Sequence, residues 1–234
     1  MFDGFYTVRF QLGQARGRSV MYARAGSMLG GNSAFAHIGT YEEVGDEIAI
    51  VINTVRHNPD PNYPAMAGTD DATLFARGRA DGTRYRFEGR LRELPDVAFE
   101  SLMTPVEEQP IPIAGGVGEG GITNGLYSLR LRLLDGIDGG LTGVMLLNDG
   151  RILGGDAFFY YLGTYTSEGG RWKGQILNQE HTPAKGVNPI FGGHEVGIGF
   201  SGKCDKEGAS LEAMALAGKR SLRLTAELKL LRRA

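Results

Sequence analysis

The chain has 234 residues, a formal net charge of −2 and one cysteine, Cys204. That charge argues against a general nucleic-acid binder, which carries a basic footprint, and a single cysteine excludes an intrachain disulfide framework or a multi-cysteine zinc site. Glycine supplies 37 residues, about twice the usual share, so a folded, turn-rich β protein is expected.

The first predicted strand runs from Phe5 to Leu12. Tyr6, Val8, Phe10 and Leu12 share one face, and Phe5, Thr7, Arg9 and Gln11 share the other. Such period-2 alternation marks a half-buried strand. Val20 to Ala23 follows, then a turn at Ala25-Gly26. The next stretch, Met28-Leu29-Gly30-Gly31-Asn32-Ser33-Ala34-Phe35-Ala36-His37-Ile38-Gly39-Thr40-Tyr41, returns later as Ile152 to Tyr165. Gly30 and Gly154 are 124 positions apart, as are Gly39 and Gly163, with no gap between them. Self-similarity of this kind means that one structural unit is written twice. A glycine pair inside a strand in both copies, Gly30-Gly31 and Gly154-Gly155, suggests the sharp bend that barrel closure needs.

Further strands are expected at Ile48 to Val55, Thr73 to Arg79, Thr83 to Gly89 and Val97 to Met103. In the second copy Leu126 to Leu133 matches Phe5 to Leu12, Val144 to Leu147 matches Val20 to Ala23, and Trp172 to Asn178, Val196 to Lys203 and Leu222 to Leu230 match the strands at 48–55, 73–79 and 97–103. Asp149-Gly150 is a strong hairpin signal, because a type I′ turn needs positive φ at both central residues. Ser210 to Leu216 has helical propensity, but its partner in the first copy reads as strand, so the repeat decides for strand. The expected fold class is all-β: two tandem antiparallel barrels, lipocalin-like, of about eight strands each. The first occupies residues 1–108 and the second 122–234. Residues 109–121 read as a linker, stiff in its Pro half and flexible in its Gly half.

Little in the chain carries chemistry. Gly116-x-Gly118-x-x-Gly121 fits a dinucleotide fingerprint as a string but has no strand and helix around it. His57 and His181 stand at equivalent places, each two residues before a proline, where anchoring a loop is the expected role; neither has a second ligand at metal spacing. His37 is replaced by Tyr161 in the other copy, and His194 is a lone loop histidine. Asn32 and Asp156 follow the glycine pairs, and either side chain can accept from nearby backbone N–H groups and fix a bend. Cys204 aligns with Ala80 and reads as a small buried thiol. No catalytic residues, cofactor or metal are expected. The distinctive surface feature is Glu42-Glu43-Val44-Gly45-Asp46-Glu47, with four carboxylates in one turn; the second copy has Thr166 to Arg171 there, with one acid. The N-terminus shows no leader-like pattern, and no apolar run approaches the ~18 residues of a membrane helix. A cytoplasmic protein that does not enter membranes is the expectation.

Asn124-Gly125-Leu126-Tyr127-Ser128, Asp149-Gly150-Arg151-Ile152-Leu153-Gly154-Gly155-Asp156 and Tyr160-Tyr161-x-Gly163-x-Tyr165 together resemble the GrlR-like family, negative regulators of bacterial type III secretion gene expression. The first copy shares Gly4-Phe5-Tyr6, Gly30-Gly31-Asn32 and Gly39-x-Tyr41. The resemblance implies a lipocalin-like barrel that works without catalysis by binding a basic helix-turn-helix activator protein. An acidic loop after the Gly-x-Tyr strand is implicated in that contact; here it falls on Glu42, Glu43, Asp46 and Glu47, with Val44 and Gly45 interrupting the acids. Because family members pair as dimers of single barrels, the resemblance also implies an internal pseudo-dimer, with further oligomerisation open. The leading functional expectation is a non-enzymatic, protein-binding regulator; a small-molecule or lipid-carrying barrel is the alternative.

Overall fold

The computed structural model describes residues 2–107, 116–134, 141–183, 195–217 and 220–234. All of its regular elements are strands, and the chain divides into two compact units, Met1–Glu107 and Glu108–Ala234. In the first unit the strands are β1 (Gly4–Leu12), β2 (Ala15–Arg24), β3 (Ser27–Gly31), β4 (Phe35–Val44), β5 (Glu47–Arg56), β6 (Asp71–Asp81), β7 (Arg84–Leu91) and β8 (Leu94–Pro105). In the second they are β9 (Gly125–Leu133), β10 (Leu141–Asn148), β11 (Arg151–Gly155), β12 (Phe159–Glu168), β13 (Arg171–Glu180), β14 (Val196–Cys204), β15 (Gly208–Ala217) and β16 (Arg220–Arg233). Each set closes on itself, β8 pairing with β1 and β16 with β9, and every strand pairing is antiparallel. The expected pair of eight-stranded barrels is the observed fold.

Side-chain alternation decides what fills each barrel. In the first, Tyr6, Val8, Met21, Met28, Ile48, Ile50, Ile52, Leu74, Phe87 and Met103 are buried in one cluster. In the second, Tyr127, Leu129, Met145, Ile152, Trp172, Phe200 and Leu228 do the same. One end of each interior is plugged by a residue that precedes the first strand: Phe2 in the first barrel and Ile122 in the second, both almost fully buried. Phe2 sits among Tyr6, Tyr41, Tyr85 and Phe87, with ring centroids 4.9–5.5 Å away.

Two sequence expectations change in detail, and a third holds against local propensity. The repeated Gly-Gly stretch is a hairpin of two strands in each copy, and the sharp turn comes just after the glycines, at residues 32–34 and 156–158. Gly30 and Gly154 point inward inside β3 and β11. A Cβ there would lie 2.1 Å from the Val20 carbonyl oxygen and 2.4 Å from that of Val144. The glycines thus let adjacent strands coil tightly into a small barrel. Residues 208–217 are strand, as the repeat required: Leu211, Ala213 and Ala215 are buried and Ser210, Glu212, Met214 and Leu216 are not. Finally, residues 116–121, read as the flexible half of a linker, are tied to β12. Val117 bridges to Ser167, Gly118 N donates to Ser167 O at 2.7 Å, and Gly169 and Gly170 donate to Glu119 and Gly120. They belong to the second unit. Residues 109–115 of the expected linker, and His194, lie outside the described residues.

Candidate functional site

The acidic hairpin joins β4 to β5 through Gly45-Asp46. Gly45 has φ 62, as the first central position of a type II′ turn requires. Strand alternation then separates the four carboxylates. Tyr41 is buried inside the barrel and Glu43 pairs across with the buried Ile48, so Glu43 lies on the inner face of β4. Its Oε1 accepts from the backbone N–H of Phe2 at 3.1 Å. Glu47 lies on the outer face, where its carboxylate takes Arg77 Nη1 at 2.6 Å and Arg79 Nη2 at 3.5 Å. The hydrogen bond from Arg77 holds its carboxyl below the usual range. Glu42 and Asp46 are exposed and form no hydrogen bond or ion pair among the described residues. Between them Val44 stands 70% exposed. The four acids expected to act together therefore divide: two hold structure and two remain at the tip beside an exposed apolar side chain.

In the second barrel the matching turn is Gly169-Gly170, with φ 58 and 74. Ser167 takes the place of Glu43, and its hydroxyl accepts from Ile122 N at 2.9 Å. Arg171 takes the place of Glu47 and pairs across with Lys203. The two hairpins share a backbone design and differ in charge.

The opposite end of each barrel is organised by the residue after the glycine pair. Asn32 Oδ1 accepts from the N–H groups of Ala34 (3.0 Å) and Phe35 (2.9 Å), while its Nδ2 donates to Arg18 O at 3.1 Å. Asp156 Oδ1 accepts from Phe158 (2.7 Å) and Phe159 (2.8 Å), and its Oδ2 accepts from the Tyr161 hydroxyl at 3.0 Å. Both residues fix a turn, as their types allow. Burial pushes the Asp156 carboxyl up to about 6, against the pull of these donors. The histidines anchor the next loop: His57 Nε2 meets Asn32 O at 3.0 Å, and His181 Nε2 meets Asp156 O at 3.5 Å. Gly31 follows Gly30 at φ 154, and Gly155 stands at the matching place.

No family model matches the chain, and no curated protein does.

Sequence reasoning set His37 aside because the other copy has Tyr161 there. The structure gives it a distinct position. His37 is 8% exposed and faces the interior of the first barrel. Its Nδ1 lies 3.0 Å from Thr54 Oγ1, and its Nε2 has no hydrogen-bond partner. Burial and the nearby His57 push its pKa down to about 4, so the ring is neutral at pH 7. The signal available in the sequence was the asymmetry itself: an ionisable ring where the sister barrel has Tyr161. Cys204 is buried, as expected, and burial raises its pKa. Among the described residues, no group of three or more His, Cys, Asp or Glu side chains could hold a metal ion, and no helix is long and apolar enough to cross a membrane.

Proposed function

We propose that this protein is a non-enzymatic regulator that acts in the cytoplasm by binding another protein. Its resemblance to the GrlR-like family supports negative control of type III secretion genes, with a basic activator as the partner. The observation that carries the reading is the tip of the β4–β5 hairpin. Val44 is 70% exposed, on a tight turn, with the unpaired carboxylates of Glu42 and Asp46 on either side. A solvated turn has no use for a bare valine, whereas a docking tip gains from an apolar contact ringed by charge. Two unpaired carboxylates steer a basic partner and raise its association rate more than its affinity.

The test begins with affinity capture from native lysate and identification of the bound protein. Binding of that purified partner is then measured at low and high salt, for the wild type and for Glu42→Gln/Asp46→Asn and Val44→Ser. Slower association of the charge variant at low salt, and weaker binding by Val44→Ser, are expected. Unchanged kinetics in both would remove the hairpin from the interface. A reporter for type III secretion genes that does not respond to raised levels of the protein would remove the regulatory assignment.

A further inference from the structure

The two ends of the first barrel's interior differ in burial, and the upper one is closed by partly buried side chains, Met66 and Ala67 among them. Below, around Phe2, it is packed solid with aromatic rings. Above, Phe10, Val97 and Phe99 also point inward, yet each keeps part of its surface exposed. Their inward direction follows from register: Phe10 pairs with Ser101 on β8, and Phe99 with Gly89 on β7, all on the face that carries the core. Phe10 and Phe99 stack at 6.1 Å with an interplanar angle of 26°. Phe10 also meets the His37 ring edge-on at 6.2 Å. Strands β1 and β4 are not neighbours in the barrel, so that contact spans the interior. Behind these rings lies His37 Nε2, buried and without a partner.

Such an atom is costly to leave unsatisfied in an apolar setting. In the second barrel the Tyr161 hydroxyl at the same position is bound by Asp156, and the unpaired buried atom is instead the amide Nδ2 of Asn178, across the strands from Tyr161. Phe10 and Phe99 are there replaced by aliphatic side chains, Leu131 and Leu224, that are buried in the core. Among the described residues, it is the first barrel that sets partly exposed, inward-facing aromatic rings beside an imidazole nitrogen without a partner.

We infer that the upper interior of the first barrel binds a small, largely apolar aromatic molecule bearing one hydroxyl group, with its ring against Phe10 and Phe99 and its hydroxyl on His37 Nε2. The aromatic preference follows from the rings present, since a flat ring extends an offset stack. The hydroxyl preference follows from the imidazole. If Thr54 donates to Nδ1, then Nε2 carries the proton and donates; in the other tautomer Nε2 accepts. A hydroxyl satisfies either state. The inference is independent of the hairpin and of any protein partner.

Phenol and toluene, matched in shape and different in the hydroxyl, are the probes. Each is titrated into the full-length protein, and the ring resonances of Phe10, His37 and Phe99 are followed by NMR. Phenol is expected to shift all three and to bind about tenfold more tightly than toluene, the ratio for one hydrogen bond to an otherwise unpaired buried group. His37→Phe should erase that preference, and Val97→Trp, at the mouth, should weaken both probes. Equal binding of phenol and toluene to the wild type would overturn the inference. So would shifts confined to the second barrel, or no shifts at millimolar phenol. Should His37→Phe fail to fold, the wild-type preference and the Val97→Trp result decide on their own.

Discussion

The backbone N–H of Phe2 donates to Oε1 of Glu43 at 3.1 Å, across forty-one positions of sequence. This bond holds the aromatic plug of the first barrel against the end of β4. The second barrel makes the same connection with different chemistry, Ile122 N to Ser167 Oγ at 2.9 Å. A carboxylate that looks like part of an acidic surface is thus a fastening. Glu43→Ala is expected to destabilise the first barrel by about 1 kcal/mol, and Ser167→Ala the second by about 1–2 kcal/mol because its amide is more deeply buried. Denaturant unfolding, with both arms of each curve fitted, checks this; no loss in either variant would mean that the plugs are held by packing alone.

The same division sorts the acidic hairpin. Glu47→Gln frees Arg77 and Arg79 without touching the tip, so it should leave partner association unchanged. Glu42→Gln/Asp46→Asn should slow association, most strongly at low ionic strength, since exposed charges are screened over about 8 Å at physiological salt. Stopped-flow association against sodium chloride concentration distinguishes the two. An equal effect from Glu47→Gln would point to a diffuse field rather than a tip.

The two barrels are expected to respond oppositely to mild acid. His37 holds a value of about 4 in the folded chain, below its ordinary 6.5. The unfolded chain therefore takes up a proton first, and stability falls as pH drops below 6.5 until about 4. His57, also lowered by burial, adds in the same sense. Asp156 is raised to about 6 from 3.8. The folded state takes up that proton first, so a penalty fully present above pH 6 is relieved on the way down to 3.8. Between pH 7 and 5 the first barrel should lose on the order of 2 kcal/mol and the second gain about 1 kcal/mol. Trp172, the single tryptophan, lies in the second core and reports that barrel by fluorescence; the NMR ring resonances of Phe2 and Phe87, both in the first core, report the first. Asp156→Asn, which installs the residue that Asn32 already is, should abolish the gain. Parallel responses of the two signals would contradict the assignment.

Gly30→Ala and Gly154→Ala should each disrupt their own barrel. The added carbon would stand 2.1 Å from Val20 O or 2.4 Å from Val144 O, both backbone atoms that cannot swing aside. A cost of about 3 kcal/mol or more is expected, at the upper end for overpacked sites. Gly45→Ala is a contrasting control: nothing lies within 4 Å, but φ is +62, so only the local conformational cost of about 1 kcal/mol applies. Thermal unfolding of the three variants orders them.

The strand framework was legible because alternation and the duplication reinforce each other. Asp149-Gly150 adopts φ 47 and 86, the type I′ geometry its residues announce. Residues 210–216 show why the repeat outweighs propensity: Ala213 and Ala215 favour helix in isolation, yet small side chains are what this stretch of the barrel interior admits. Other features leave little trace. The turn at Asn32-Ser33-Ala34 contains no glycine or proline, so its two strands read as one. Val117 docks through a single bridge, which is too short to impose a pattern. The inward direction of Glu43 depends on counting from Tyr41, and a run of acids hides that parity. His37 was discounted by comparison with Tyr161, when the difference between the copies was the informative part.

Each barrel begins and ends on neighbouring strands. Val106 N donates to Phe5 O at 2.8 Å, and Ala234 N to Asn124 O at 3.2 Å, so the chain departs from each unit beside its point of entry. A unit with such a seam can be spliced to a copy of itself without stretching either one, which makes duplication in tandem a mild event for folding. It also makes the starting point of each unit arbitrary. A circularly permuted single barrel, its old ends joined by a short Gly-Ser segment and its chain reopened at Ala25-Gly26 or Asp149-Gly150, should close the same eight-membered ring.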